Sequence, residues 1–237
     1  MSNDPLVAPS RWAIGPGRGH SARASIIYST NFNANDGGLV ATNNGGNAAN
    51  PWTYGATAGV GGNGAWFING SFSVSDKFLT SPTLNVTGTG PVTITFDHRF
   101  SFENDYDGGQ LYVSVNGGAF ALVPLANFTA NGYNSTIATP FSNPIAGQPA
   151  WSGISAGNET PAYITSTATL GSFAAGDTVA FRFRAAWDHS SARPSPNWVI
   201  DNVVVADADT TAVPAPPTLL LGLVGVGVGV LRRRRAA

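Results

Sequence analysis

The sequence contains no cysteine, a single lysine and only two glutamates among its 237 residues. The lack of cysteine excludes disulfide bonds and thiolate metal sites. Lysine and glutamate are good helix formers, so their scarcity argues against a helical protein. Only 11% of the residues are charged, and four of the arginines lie together at residues 232–235. The rest of the chain is mildly acidic, which leaves a nucleic-acid partner without an electrostatic basis.

Common catalytic signatures are also missing. The sequence has no HExxH motif, no GxSxG motif and no cysteine nucleophile. Of the histidines, His20, His98 and His189, the second falls on the apolar side of a predicted strand, which is typical of a hydrogen-bonded core residue. Glycoside hydrolysis needs two acids across a cleft, but Glu103 and Glu159 both fall in predicted loops. The sequence therefore predicts a protein that is not an enzyme.

What the sequence does contain is glycine, proline and short alternating segments. Residues 92–100, VTITFDHRF, alternate apolar and polar side chains as a half-buried strand does. No segment of the body shows a helical period, and Asn116, Gly117 and Gly118 form a hairpin turn signal. Strands at this spacing predict an all-β, two-sheet antiparallel sandwich. The other predicted strands are residues 26–32, 77–86, 110–115, 119–125, 179–187 and 198–207.

Composition divides the chain into four parts. Residues 1–25 are rich in proline and glycine and lack the apolar core of a secretory signal peptide, so they are predicted to be disordered. Residues 26–207 form the sandwich domain, and residues 208–217 form a proline-rich linker. Residues 218–237 combine an apolar helix with an arginine cluster.

The end of the chain has the properties of a membrane segment. Residues 213–231 carry no charge, and this length is close to the 20 residues or so that cross a bilayer core of roughly 30 Å. The alternative is a buried strand or hairpin that completes the domain, but such a segment has little use for four arginines directly behind it. Basic residues stay on the cytoplasmic side of a membrane. The sequence therefore predicts a short transmembrane helix with the body outside.

This three-part pattern resembles the PEP-CTERM sorting signal of bacteria that make extracellular polysaccharide. The resemblance implies export, anchoring in the inner membrane through the C-terminus, and processing near the prolines by an exosortase. The body would then reach the cell envelope or the extracellular matrix. The family usually has glutamate at the place of Ala215. The residues that carry the resemblance are Val213, Pro214, Ala215, Pro216, Arg232, Arg233, Arg234 and Arg235.

A second resemblance covers residues 26–207. The stretches NFNANDGG, FLTSPTLNV, VTITFDHRFSFENDYDGGQLYVSVNGGAF and WVIDNVVV, in this order, resemble the modules of the MAM and immune-inhibitor-A type. The resemblance implies a two-sheet jelly roll. It also implies an accessory, adhesion or carbohydrate-binding role and, in many such modules, a structural Ca²⁺.

Oxygen-bearing side chains suggest where an ion would bind, since Ca²⁺ prefers six to eight oxygen ligands. Asp201 interrupts an apolar strand, Asp107 lies in an acidic, glycine-rich loop, and Asn33 and Asp36 follow the first strand. The first and last strands of a jelly roll are neighbours, so we expect Asn33 and Asp201 to share a Ca²⁺, with Asp36 or Asp107 as a further ligand. The alternative is that Asp201 faces solvent or caps a turn.

A carbohydrate site would need exposed aromatic faces beside amides or carboxylates. The candidates are Tyr133, Asn134, Trp151 and Trp187. The alternative is that these rings pack in the core.

Two functions follow from these observations. The first is an exported, non-catalytic surface or matrix protein whose jelly-roll body serves architecture or adhesion. The second is a carbohydrate-binding module that recognises the exopolysaccharide itself.

Overall fold

The computed structural model describes residues 24–156, 160–189, 193 and 195–208. These residues form strands and two short 3-10 turns, Val60–Gly62 and Leu125–Asn127, and within them no helix has the length and apolar character needed to cross a membrane. The predicted all-β fold is confirmed. The strands are β1 Ala24–Thr30, β2 Val40–Gly46, β3 Thr53–Gly55, β4 Ala65–Ile68, β5 Ser75–Thr80, β6 Leu84–Asn85, β7 Gly90–Phe100, β8 Gly108–Val115, β9 Ala121–Leu122, β10 Phe128–Ala130, β11 Ser135–Thr136, β12 Pro149–Ala150, β13 Ile164–Phe173, β14 Thr178–Trp187 and β15 Trp198–Ala208.

The strands form two main antiparallel sheets. Sheet A has the order β10-β13-β7-β15-β4-β3, and β1 pairs with β15. Sheet B has the order β2-β5-β14-β8-β9, and β6 pairs with β14. Strands β11 and β12 pair separately. The first and last strands are therefore neighbours, as the sequence predicts for a jelly roll.

One aromatic-rich core lies between the two sheets. In β7, Val92, Ile94 and Phe96 are buried, whereas the threonines between them are half-buried, as the alternation predicts. From sheet B, β14 contributes Phe181 and Phe183 to the same cluster. Burial of these large apolar side chains is the main favourable contribution to folding.

His98 is part of this core. It is fully buried, and burial lowers its pKa to about 3. The indole N–H of Trp198 donates to Nδ1 at 3.1 Å, so Nε2 carries the proton and donates to Ser166 Oγ at 2.8 Å. His98 is therefore a neutral, hydrogen-bonded core residue, as its place on the apolar side of the strand indicates.

A β-bulge interrupts β15 directly after Asp201. The register against β7 shifts there, and Asn202 adopts a φ of +48°, a conformation that asparagine tolerates better than most residues. Ile200 faces the core before the bulge, and Val203 and Val205 face it afterwards. Strict alternation, which groups Asp201 with Val203 and Val205, is therefore wrong for this strand.

Lys77, the single lysine of the chain, is also buried. It lies in β5 on the same face as the buried Ser75 and Leu79, and only 1% of it is exposed. Its Nζ donates to the backbone oxygen of Asn47. Burial lowers its pKa, although Asp76 acts in the opposite direction. The stem of the side chain thus adds to the core while its ammonium group is capped by the backbone.

Candidate functional site

The outward face of sheet B carries aromatic and polar side chains, which are half-buried except for the fully buried Gln110. Alternation in β14 sends the phenylalanines inward and Arg182 and Arg184 outward. Arg182 lies opposite Thr80 and Tyr112, and Arg184 lies opposite Phe78 and Gln110. We name this surface the sheet B platform. Its members are Phe78, Thr80, Gln110, Tyr112, Phe120, Arg182 and Arg184.

Arg184 is held in an ion pair. Its Nε and Nη2 each donate to Asp76 at 2.8 Å, and its Nη1 donates to the hydroxyl of Tyr112 at 2.8 Å. Burial opposes the charge of Arg184, but the hydrogen bonds and charge of Asp76 outweigh it and raise the pKa. Asp76 also accepts a bond from Asn44 at 2.7 Å. This bidentate pair fixes the middle of the platform.

Arg182 has a different environment. Its guanidinium carbon lies 4.3 Å from the ring centre of Phe78 and 3.6 Å from that of Phe120, which are cation–π distances. Its Nε donates to Thr80 Oγ1 at 2.9 Å. Within the part of the chain that the structure describes, no carboxylate forms an ion pair with Arg182. The guanidinium group of Arg182 therefore packs against two aromatic rings and, among the described residues, forms no ion pair.

A packed segment lies at one end of the sheet B platform, and a cleft lies at the other. At one end, the segment between β11 and β12 packs on β14 through a small cluster that includes Ile137, Ile145 and Ala186. Gln110 Nε2 donates to the backbone oxygen of Pro149 at 2.8 Å and ties this segment to the sheet. At the other end lies a cleft of about 240 Å³. Its lining includes Phe120 and the hydroxyls of Thr80, Ser81, Thr83, Ser114 and Thr178.

The residues predicted to bind carbohydrate lie elsewhere. Trp151 and Trp187 are fully buried and Tyr133 is 6% exposed, so none of these rings can present a face to a sugar. Asn134 is exposed, but its amide donates to Ser152 O and accepts from Ser152 N, both at 2.9 Å. The prediction of a sugar platform is therefore wrong for Tyr133, Trp151 and Trp187, because these large rings fill the core.

Two predicted calcium ligands contact the same loop. Asp201 Oδ2 accepts from Val60 N at 2.8 Å, and Asn33 Oδ1 accepts from Gly64 N at 3.2 Å. The other oxygen of Asp201 accepts from Asn202 N at 2.7 Å. A Cβ at Gly59 would lie 2.5 Å from Asp201 Oδ2, so glycine lets the loop approach. These oxygens accept hydrogen bonds from backbone N–H groups, which suits an anchor for the loop.

The other two predicted ligands are separate. Asp36 is exposed, and its Oδ1 accepts from Gly38 N at 2.9 Å. Asp107 is fully buried beside Asp188, whose backbone N donates to Asp107 Oδ1 at 3.0 Å. Among the described residues no three acidic or histidine side chains lie close enough to hold a metal ion. Asp36 and Asp107 thus have separate partners, and calcium binding by Asn33 and Asp201 stays a prediction.

We expect Asp201→Ala to lower the free energy of unfolding by about 1–3 kcal/mol, because Val60 N and Asn202 N would lose their acceptor. If Asp201 serves only to anchor the loop, the loss in free energy of unfolding should be the same in EDTA and in calcium. Thermal unfolding of the wild type and of Asp201→Ala in the two buffers measures this. If EDTA lowers the melting temperature of the wild type but not that of Asp201→Ala, Asp201 binds calcium instead.

Several residues singled out by the sequence, His20, Glu159 and the sorting motif at residues 213–216 and 232–235, lie outside the described residues. The missed site residues are phenylalanines and arginines. The run FRFR at residues 181–184 is a signal for the two arginines, whereas its phenylalanines, Phe181 and Phe183, belong to the core.

No protein-family model matches this chain, and no curated protein matches it. Among solved structures, it is similar to the K3 cleaved adhesin domain of Lys-gingipain from Porphyromonas gingivalis W83, with 17% identity, 77% of this chain and 100% of that chain covered, and a TM-score of 0.42. It is also similar to the CBM22-1 xylan-binding domain from Paenibacillus barcinonensis, with 10% identity, coverages of 78% and 96%, and a TM-score of 0.40. A carbohydrate-binding module from Cellvibrio mixtus lichenase 5A, solved with cellotriose, has 14% identity, coverages of 78% and 99%, and a TM-score of 0.34. These distant similarities establish neither a ligand nor a role for this chain.

Proposed function

We propose that the body is a non-catalytic domain that binds extracellular polysaccharide through the sheet B platform. The observation that carries the proposal is the set of three half-buried rings, Phe78, Tyr112 and Phe120, placed among guanidinium and hydroxyl groups on the outward face of sheet B. Sugars present apolar ring faces and hydroxyl edges, and such a surface is complementary to both. Architecture or adhesion in the matrix would follow from this binding.

The chemistry of the platform supports binding without catalysis. Asp76, the carboxylate of the surface, is held by Arg184 and Asn44. A general acid or base needs a proton that it can exchange with the substrate, and Asp76 is committed to the ion pair. His98 is sealed in the core.

The proposal is tested by glycan binding of the full-length chain. We expect Phe120→Ala to weaken binding about tenfold, or ~1.4 kcal/mol, because the ring both contacts the ligand and supports Arg182. Phe72→Ala is the matched control, since Phe72 is 71% exposed and lies outside the platform. Isothermal titration with polysaccharides that bind on an array measures both variants. An array without any binding would favour a purely architectural role, and an equal loss in both variants would exclude the platform.

The proposal includes the fate of the chain end, which the sequence resemblance supports. We expect an exosortase to remove the tail near residues 213–217 and release the body to the envelope or matrix, where polysaccharide is present. The chain would be expressed behind a working signal peptide in a host with an exosortase, and the mature mass measured. A mature protein that still ends in Ala237 would contradict processing.

A further inference from the structure

The two arginines of the sheet B platform differ in how their charges are balanced. Arg182 and Arg184 are two residues apart on one strand and point to the same side. Asp76 accepts two hydrogen bonds from Arg184 and neutralises it. Arg182 donates only through Nε to Thr80 among the described residues, so its two terminal nitrogens remain available. Among the described residues, the platform therefore presents one guanidinium group that forms no ion pair.

From this arrangement we propose that the platform selects acidic polysaccharide, with a uronate carboxylate binding the terminal nitrogens of Arg182. The inference rests on the proposed function and names its ligand class. A guanidinium group matches a planar carboxylate through two parallel hydrogen bonds, and charge-assisted bonds of this kind are stronger than neutral ones. A neutral sugar could not form these charge-assisted hydrogen bonds with Arg182.

The surroundings of Arg182 favour an anion. Phe78 and Phe120 lie over its guanidinium group and restrict its motion, so little conformational entropy is lost on binding. Burial, followed by the charge of Arg184, lowers the pKa of Arg182, whereas Asp76 raises it. An incoming carboxylate would relieve this unfavourable environment.

The adjoining cleft would hold the rest of the sugar. It begins at Thr80 and Phe120, both of which contact Arg182, and continues past Ser114 and Thr178. Five of its ten lining residues are serine or threonine, and none carries a carboxylate. Hydroxyls can donate and accept, which suits a sugar, and the absence of acids from this lining avoids repulsion of a uronate. The group that would bind the carboxylate, Arg182, is therefore adjacent to the groups that would bind the sugar hydroxyls.

The most direct test compares the binding of one polymer in two charge states. The full-length chain is titrated with polygalacturonate and with the same polymer after methyl esterification, which removes the charge and keeps the sugar. We expect at least tenfold tighter binding of the acidic form. Arg182→Gln should reduce that affinity to the level of the ester and leave binding of the ester within about twofold. Arg182→Lys, which keeps the charge but loses the planar fork, should give an intermediate affinity.

Controls separate this inference from the proposed function. Arg99→Gln removes a half-buried arginine from sheet A and should bind like the wild type. Equal binding of both polymers by the wild type would overturn acid selection and leave polysaccharide binding intact, whereas binding of neither polymer nor any arrayed glycan would overturn the proposed function. Equal binding of a sulfated galactan would overturn selection of the carboxylate. If Arg182→Gln does not fold, Arg182→Lys decides: unchanged binding would overturn the role of the fork.

Discussion

Replacing Trp151 with alanine is expected to lower the free energy of unfolding by about 3–5 kcal/mol. The ring is fully buried, and its indole N–H donates to Asn131 O at 2.9 Å. The variant would lose these contacts and leave a cavity in the centre of the core. The ring centres of its aromatic neighbours lie 4.8–5.7 Å away, and these neighbours are Phe96, His98, Phe128, Tyr133 and Trp198.

Urea unfolding of the variant measures this loss. Phe72→Ala, at an exposed ring, should change the stability by less than about 0.5 kcal/mol. The comparison also decides between the two sequence interpretations of Trp151. A variant that is as stable as the wild type but no longer binds glycans would make Trp151 a sugar platform and contradict its place in the core.

Raising the pH from 6.5 to 8 is expected to destabilise the domain by about 2 kcal/mol, and Asp107→Asn should remove this loss. Burial, and then the charges of Asp188 and Glu103, raise the pKa of Asp107 to about 8, although hydrogen bonds from the backbone act against the rise. An unfolded aspartate titrates near 3.9, so between these values the folded state binds the extra proton. The contribution of Asp107 to stability is therefore greatest at low pH and is lost as the pH approaches 8, with a slope of about 1.4 kcal/mol per pH unit well below 8.

His98 has the opposite effect and sets the useful pH window. Its folded pKa of about 3 lies below the unfolded value near 6.5, so the unfolded state binds the extra proton between them. His98 therefore makes stability rise with pH up to 6.5, which cancels much of the slope from Asp107. Above 6.5 this compensation ends.

The measurement is denaturant unfolding at four pH values from 6.5 to 8. Asp36→Asn is the control, because Asp36 is exposed and should keep the slope of the wild type. Burial also raises the pKa of Asp201, and that contribution remains in Asp107→Asn. Parallel curves for the wild type and Asp107→Asn would contradict the assignment.

The sequence predicts strands best where large apolar residues alternate with polar ones, as in β7. Strand β13 was missed for a physical reason. Its inward residues include Ser166 and Ala168, and its outward residues are threonines, so the contrast between the faces is weak. Ser166 is buried because it bonds to His98 and to Asn131 O, a long-range contact that no local pattern reports.

Prediction of the site was limited by the same dependence on distant contacts. Tryptophans attract attention as sugar platforms, yet in a chain without disulfides the largest rings are the best material for a core. The platform instead forms where strand pairing places Phe78 beside Arg184, more than one hundred positions apart. For Asp201, the asparagine that follows it was a local signal for the bulge, since asparagine tolerates positive φ.

The buried position of Lys77 has a practical consequence for amine chemistry. Because this is the chain's one lysine, an acylating reagent finds no exposed lysine amine on the folded body. Modification of Lys77 must wait until β5 opens from its neighbours, so its rate reports how often that opening occurs.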